Sequence, residues 1–404
     1  MNLLFFGDGW DDTWRRRQQM AWHLARRPEV AHVLYVELPL TLTSLAKFIL
    51  GRADPDASFA WGRKLGSRRV AMPSGLTLAT PVSVTAWRLR AWGDEEPSRG
   101  FCPGLVRALT ARPTVVIATV PHAYLWLGDC SWEVLCYDCT ERFDLMPGLS
   151  DARRRFYALA DAWLTAKADL VLVQTQTQLQ AKRKDNSNTY LVPNAVDTGR
   201  FESPVQEPRS LQGLGRPRAG YVGSINDRID VALVEQVAQL LPEWQFVFVG
   251  LVARHAEVQR IFRLPNVHHV PRRPYDEVPA FLSAFDVCLI PHRPNGVAES
   301  QSPLKLFDYL AAGKPIVTTG IAGLGDLEHL VSVADDAPAF ARGLRVAQRD
   351  SHPAQVRARR AAARANSWEA RVETVLSAMC ACGLRAGNRD GFGNSRQRQH
   401  AHDR

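Results

Sequence analysis

From Arg218 to Thr319 the sequence repeats one unit: a short apolar run, a glycine or proline at its end, and then a helical pattern. The runs are Ala219–Ile225, Gln245–Gly250, Val267–Pro271, Asp286–Pro291 and Pro315–Thr319. Runs that are apolar throughout, instead of alternating, need cover on both faces, and a parallel sheet wrapped by crossover helices provides it. The intervening patterns, such as Ala232, Val237 and Leu241 or Val278 to Phe285, supply that cover. Ligand sites in such sheets lie at the carboxyl ends of the strands, and Gly223, Gly250, Pro271 and Pro291 mark those ends here.

At 404 residues the chain exceeds the roughly 250–300 at which a single core stops growing. The first half offers a second set of strands at Asn2–Phe6, Val33–Val36, Val115–Ala118, Val134–Tyr137 and Leu170–Val173, with helices expected over Gln18–Arg27 and Ser150–Ala166. A polar stretch bearing Pro204, Gly213 and Gly215 separates the halves. The predicted organisation is an α/β chain of two Rossmann-like parallel-sheet domains facing a central cleft, over residues 1–198 and 199–384, with a basic, disordered tail over 385–404. Gly213-x-Gly215 is no dinucleotide fingerprint, because it precedes a strand instead of following one.

The segment Ser302-Pro303-Leu304-Lys305-Leu306-Phe307-Asp308-Tyr309-Leu310-Ala311-Ala312-Gly313-Lys314-Pro315 carries the most chemistry. Pro303 suits a first helical turn, Leu304, Phe307 and Leu310 make an apolar face, and Gly313 with Pro315 stops the helix. Lys305 then lies in the first turn, where unpaired N–H groups and the helix dipole also favour a phosphate. Asp308, one turn on, accepts only when ionised and suits a pair of ribose hydroxyls. An amphipathic helix whose lysine and aspartate are merely solvated is the competing reading of this segment alone.

With Val192–Asp197 before it and Asn366–Arg371 after it, Gly220–Val317 resembles, in motif order and spacing, the group-1 (family 4-like) retaining glycosyltransferases of the GT-B fold. The resemblance is nearest to a branch making bacterial cell-surface polysaccharides, of the teichuronic-acid transferase type. The N-terminal half resembles the family in Trp14-Arg15-Arg16-Arg17-Gln18-Gln19, Tyr35-Val36-Glu37 and Tyr137–Asp144. One departure concerns the two glutamates that the family carries eight positions apart. Asp308 matches the second, whereas Ser300 occupies the first and Glu299 precedes it.

The resemblance implies a nucleotide-diphosphate sugar donor on the C-terminal side and a sugar or lipid-linked acceptor on the N-terminal side. It implies donor contacts at Gly223, Ser224, Val270, Glu299, Ser300, Ser302, Lys305, Leu306 and Asp308. His122, Arg228 and Lys305 are the candidate catalytic residues, His122 orienting the sugar and Arg228 meeting the diphosphate; Gly9, Trp10 and Asp138 are candidates on the acceptor side. No metal is expected, because cationic side chains and helix-start N–H groups would stabilise the leaving diphosphate in its place. Two other readings stay open: a GT-B nucleotide-sugar epimerase, and a catalytically weak binding or scaffold subunit, the latter motivated by Ser300.

Net charge says less than its size suggests. Of the total +9, residues 342–404 supply +8, from 13 arginines against five acidic residues. Nucleic-acid binding is disfavoured, because no recognition motif accompanies these basic residues. Leu40–Arg69 mixes apolar residues with Lys47, Arg52, Arg63, Lys64, Arg68 and Arg69, as either a peripheral helix or a patch for an anionic membrane face would. No apolar run reaches the roughly 18 residues of a membrane span, and seven cysteines, an odd number, suit a reducing cytoplasm. Cys136-x-x-Cys139 lacks the second pair that a structural zinc site needs.

Overall fold

The computed structural model describes residues 1–11, 14–38, 40–52, 61–62, 65, 72–83, 115–125, 127, 132–146, 148–253, 256–293, 302–350 and 352–382. Glu299, Ser300, the basic residues Arg63, Lys64, Arg68 and Arg69, and the tail over 385–404 lie outside the described residues.

Two parallel sheets organise the chain. The N-terminal sheet has seven strands in the order β4-β2-β1-β6-β7-β8-β9: β1 (Asn2–Phe6), β2 (His32–Val36), β4 (Leu76–Ala79), β6 (Val115–Ala118), β7 (Val134–Cys139), β8 (Leu170–Val173) and β9 (Thr189–Leu191). The C-terminal sheet has six, in the order β12-β11-β10-β13-β14-β15: β10 (Arg218–Val222), β11 (Gln245–Val249), β12 (Val267–Val270), β13 (Val287–Ile290), β14 (Ile316–Thr318) and β15 (Ser332–Val333). A small third pair joins β3 (Leu40–Thr41) to β5 (Val82–Ser83).

The central strands have almost no exposed residue because each is covered twice. In β1, Leu3 and Phe5 face one core and Leu4 and Phe6 the other. In the C-terminal sheet, Phe246 and Phe248 of β11 face one core while Val247 and Val249 face the opposite one. Both order reversals, β1 to β6 and β10 to β13, place a crevice at the carboxyl ends of the strands.

The last helix departs from the predicted division. Residues 199–384 were expected to form the second domain, yet Trp368–Ala381 crosses back and covers the first sheet beside the helix Arg16–Leu24. Its stripe of Trp368, Val372, Val375, Leu376 and Met379 is buried with Leu3, Phe5 and Val33. The stripe is apolar at helical spacing, and the uncovered face of the N-terminal sheet is where it can be buried. Ser367 caps this helix by accepting from the Ala370 N–H at 3.3 Å.

Candidate active site

A cavity of about 450 Å³ lies between the domains, and its walls are strand ends and the turns that follow them. The N-terminal wall carries Asp8 after β1, Arg15, Arg16 and Arg17 at the start of the helix Arg16–Leu24, and Thr140 and Glu141 after β7. The C-terminal wall carries Gly223 and Ser224 after β10, Gly250 after β11, Arg272, Arg273 and Tyr275 after β12, and Ser302, Lys305 and Asp308 around the helix Leu304–Ala311.

Lys305 occupies the first turn of that helix, whose Pro303 start has no side-chain cap. Its ammonium lies 4.9 Å from the centre of the Tyr221 ring, close enough for a cation–π contact. No anion among the described residues pairs with it. Burial and the neighbouring Arg228 push its pKa down to about 7, against the pull of Asp308. The stem passes over Gly223, where an added β-carbon would stand 3.2 Å from Lys305 Cε and where φ is +139°. Glycine at 223 therefore brings backbone and ammonium to one place.

Asp308 accepts a hydrogen bond from the Tyr275 hydroxyl at 2.6 Å. Burial pushes its pKa up to about 7, while the Tyr275 bond, Lys305 and Arg200 hold it back. Arg228 reaches across the cleft to Glu141 at 3.1 Å, and Arg272 reaches Asp11 of the N-terminal wall at 3.5 Å. Arg15 and Arg17 both pair with Asp8, at 3.5 and 2.5 Å. Two carboxylates, Asp8 and Asp11, thus serve three guanidiniums, and Arg17 donates in addition to Thr140 Oγ1 at 2.8 Å.

A second network ties the walls together from behind. Arg16 is paired with the fully buried Asp138 at 2.8 Å and donates to the Pro193 carbonyl at 3.0 Å and Asn194 Oδ1 at 3.3 Å. Asn194 in turn donates its N–H to Ser302 Oγ at 3.4 Å and its side-chain amide to the Ser302 carbonyl. Removing Asp138 would leave Arg16 charged and buried without its counter-ion, at a cost of about 3–5 kcal/mol.

Gly223, Ser224, Arg228, Ser302, Lys305 and Asp308 therefore line one cavity. Several other expected contacts do not. Asp138 is fully buried against Arg16 and lies outside the cavity wall. Trp10 is fully buried in the core, edge-on to Tyr35 at 4.9 Å, because the turn after β1 folds its indole back over the sheet. Gly9 of the same turn is half-buried and outside the cavity wall. Val270 and Leu306 point into the core beneath the C-terminal sheet. His122 lies in the 3-10 turn Pro121–Leu125, its ring against Tyr157 at 5.4 Å and Phe156 at 5.8 Å, outside the cavity wall. Burial there, with Arg153 and Arg17 near, lowers its pKa to about 3. Sequence reasoning assigned no role to Arg15, Arg17, Arg272 or Tyr275. Trp14-Arg15-Arg16-Arg17 was visible as a basic run ahead of a helix, but Tyr275 carried no comparable signal.

Among the described residues, no group of three or more His, Cys, Asp or Glu is placed to hold a metal ion. Among the same residues, no helix is long and apolar enough to cross a membrane.

Two parallel-sheet domains meeting at such a cleft define the GT-B architecture of glycosyltransferases. Residues 216–350 match the family described as "Glycosyl transferases group 1". The chain is 29% identical over 226 residues to a Bacillus subtilis protein assigned to teichuronic acid biosynthesis as glycosyltransferase TuaH; the match covers 52% of this chain and 56% of that relative's length. Among solved structures, a sucrose-phosphate synthase from Thermosynechococcus elongatus superposes with a TM-score of 0.67 at 15% identity, over 94% of this chain and 98% of that one. Anabaena HepE in complex with UDP and glucose gives 0.61 at 15% identity, over 94% and 99%. At these identities the structural likeness establishes the fold.

Proposed function

We propose that this chain is a glycosyltransferase that moves a sugar from a nucleoside diphosphate sugar to a hydroxyl acceptor in the synthesis of a cell-surface polysaccharide or glycolipid. The observation that carries the proposal is Lys305: a cation without an anionic partner among the described residues, stacked on Tyr221 and packed on Gly223, at an uncapped helix start inside the cleft. A diphosphate would supply the missing charge, with the Asp308 carboxylate one turn away for the ribose hydroxyls. The sugar–phosphate bond breaks with negative charge growing on the β-phosphate, and Lys305, Arg228 and the first-turn N–H groups are aimed to stabilise that charge. The acceptor oxygen bonds to the anomeric carbon on the face that the phosphate leaves, and the departing phosphate takes the acceptor proton, so the reaction runs with retention and without a metal or a dedicated base.

The TuaH match supports the polysaccharide assignment, and the HepE complex supports UDP as the first nucleotide to try. A peripheral contact with an anionic membrane fits the helix Leu42–Ile49, which leaves Leu42 and Ile49 exposed beside Lys47. The deciding experiment is a calorimetric titration with UDP, GDP, ADP and dTDP, with and without magnesium, repeated on Lys305→Ala and Asp308→Ala. Metal-independent binding of one diphosphate, weakened by about 1–3 kcal/mol in each variant, is expected. Unchanged affinity in both folded variants would remove the assignment.

A further inference from the structure

Asp308 is connected to the N-terminal domain by an unbroken row of side chains. The row begins at Trp14, which has φ +51°, a conformation that a bulky residue seldom adopts and that persists where its surroundings demand it. Those surroundings are Trp10 and Trp22, whose rings lie edge-on to Trp14 at 6.1 and 4.8 Å. The next member, Arg200, belongs to the segment Thr198–Phe201 that joins the domains. Its guanidinium lies 5.2 Å from the Trp14 ring centre and 5.0 Å from that of Tyr275, so it is held between an aromatic face of each domain. Arg200 is further fixed by Asp197 at 2.8 Å and by Asp276. Tyr275 closes the row by donating to Asp308 Oδ1, which leaves Oδ2 as the oxygen open to a ligand.

We propose that Trp14, Arg200 and Tyr275 are positioning residues through which the N-terminal domain orients the Asp308 carboxylate, so that nucleoside recognition by the C-terminal domain depends on an indole of the other domain. The inference rests on Asp308 as the group that takes the ribose hydroxyls. A phenol that donates to a carboxylate favours its ionised form, and so does a nearby guanidinium. The charged groups facing Asp308 are Arg200 and Lys305, which favour ionisation, and Asp197, which opposes it. Disturbing the row therefore has a signature that mere loosening of the fold does not: Asp308 takes up its proton at higher pH.

The test follows that proton directly. The carboxyl carbon of Asp308, assigned by its loss in Asp308→Asn, is titrated by carbon NMR in protein labelled at aspartate, first in the wild type and then in Tyr275→Phe, Arg200→Gln, Arg200→Lys and Trp14→Leu. Tyr275→Phe and Arg200→Gln should each raise the midpoint by about one pH unit. Trp14→Leu should raise it by less, because Arg200 loses one of its two ring faces, and Arg200→Lys should restore most of the wild-type value. UDP affinity at pH 6.5 should fall about tenfold in the first two variants and recover as the pH passes the raised midpoint. Unmoved midpoints in folded Tyr275→Phe and Arg200→Gln would overturn the row, and an unmoved midpoint in Trp14→Leu would overturn its cross-domain step. If the wild type bound no UDP at any pH, the ribose reading would fall, while the midpoints would still decide the row.

Discussion

A β-carbon placed on Gly250 would stand 1.9 Å from the carbonyl oxygen of Gly223. The two glycines end adjacent strands, β10 and β11, and their backbones approach more closely than any side chain allows. Gly250 also has φ +154°. That approach sets the floor of the cleft under Lys305, since Gly223 is the residue over which the lysine stem passes.

Gly250→Ala should therefore damage both stability and the site. Overpacking costs about 1–3 kcal/mol and a disfavoured backbone conformation about 1–3 more. The clash is with backbone, which cannot swing aside as a side chain would. Chemical denaturation should show a loss within the summed range, and UDP affinity should fall in the fraction that remains folded. Wild-type stability in Gly250→Ala would mean that the two turns have room to part.

Glu141 competes with any anion for Arg228, so Glu141→Gln should tighten UDP binding. Both side chains are partly open to solvent, at 41% for Arg228 and 25% for Glu141, so the pair itself contributes only about 0–1 kcal/mol. Freeing Arg228 should improve affinity by a few-fold at low salt, with the gain shrinking as ionic strength rises. Arg228→Ala should weaken binding and flatten the salt dependence. Isothermal titration at two salt concentrations checks both variants.

Much of this was readable beforehand, and the boundary between what was and what was not is physical. The runs at 2–6, 115–118, 170–173 and 245–249 are buried on both faces, so their composition alone marks them as strands. Three of the four edge strands of the two large sheets, β4, β9 and β15, carry no such mark, because one neighbour or one face is missing: Leu76–Ala79 exposes Thr77, and Thr189–Leu191 exposes Leu191; the fourth, β12, keeps buried Val267 and Val270 and was readable. Within the site, Lys305 and Asp308 were legible because both lie on one helix with a recognisable start and stop. Asp138 was misplaced because its partner Arg16 lies 122 residues earlier, and nothing local announces that pairing. Tyr275 and Arg200 were missed for the same reason: what they do depends on which side chains from elsewhere arrive beside them.

The pKa values of Lys305 and Asp308 are displaced in opposite directions to about the same pH, and this gives nucleotide binding a proton signature. Both pKa values lie at about 7, Lys305 from above and Asp308 from below. A bound diphosphate favours the protonated lysine, so binding above pH 7 should draw in a proton. A bound ribose favours the ionised aspartate, so binding below pH 7 should release one. The net proton exchange, read from calorimetric enthalpies in buffers of different ionisation heat, should change sign near pH 7, and Lys305→Ala should abolish the uptake limb alone.

The same shifts fix how stability varies without ligand. Asp308 holds its proton more tightly folded than unfolded, so its contribution is fully present below about pH 3.8 and is lost as the pH rises to about 7. Lys305 binds its proton less tightly folded than unfolded, so its penalty is fully present below about pH 7 and is relieved as the pH climbs towards about 10.5. Between them, the two groups leave their combined contribution least favourable near pH 7, where a diphosphate and its ribose would correct both at once. The difference in melting temperature between Asp308→Asn and wild type, followed from pH 5 to 8, should grow in favour of the variant, because the asparagine stays neutral where the aspartate is forced to ionise.

Trp368→Ala should destabilise the N-terminal domain, although Trp368 comes near the end of the described chain. The indole is fully buried among residues of the N-terminal core, and truncating a buried tryptophan costs about 3–5 kcal/mol. The backbone reinforces the contact: Trp368 N–H donates to the Val196 carbonyl at 3.1 Å, and Val196 N–H donates to the Asn366 carbonyl at 3.2 Å. The linker and the returning helix are thus stitched together where the domains meet. Hydrogen exchange should show protection lost first in β1, β2 and the helix Arg16–Leu24, with the C-terminal sheet largely spared. Because that helix carries Arg16 and Arg17 into the cleft, and Trp368 itself lines the cavity, the loss should extend to the binding site. Uniform loss of protection in both sheets would instead mean that the two domains unfold as one unit.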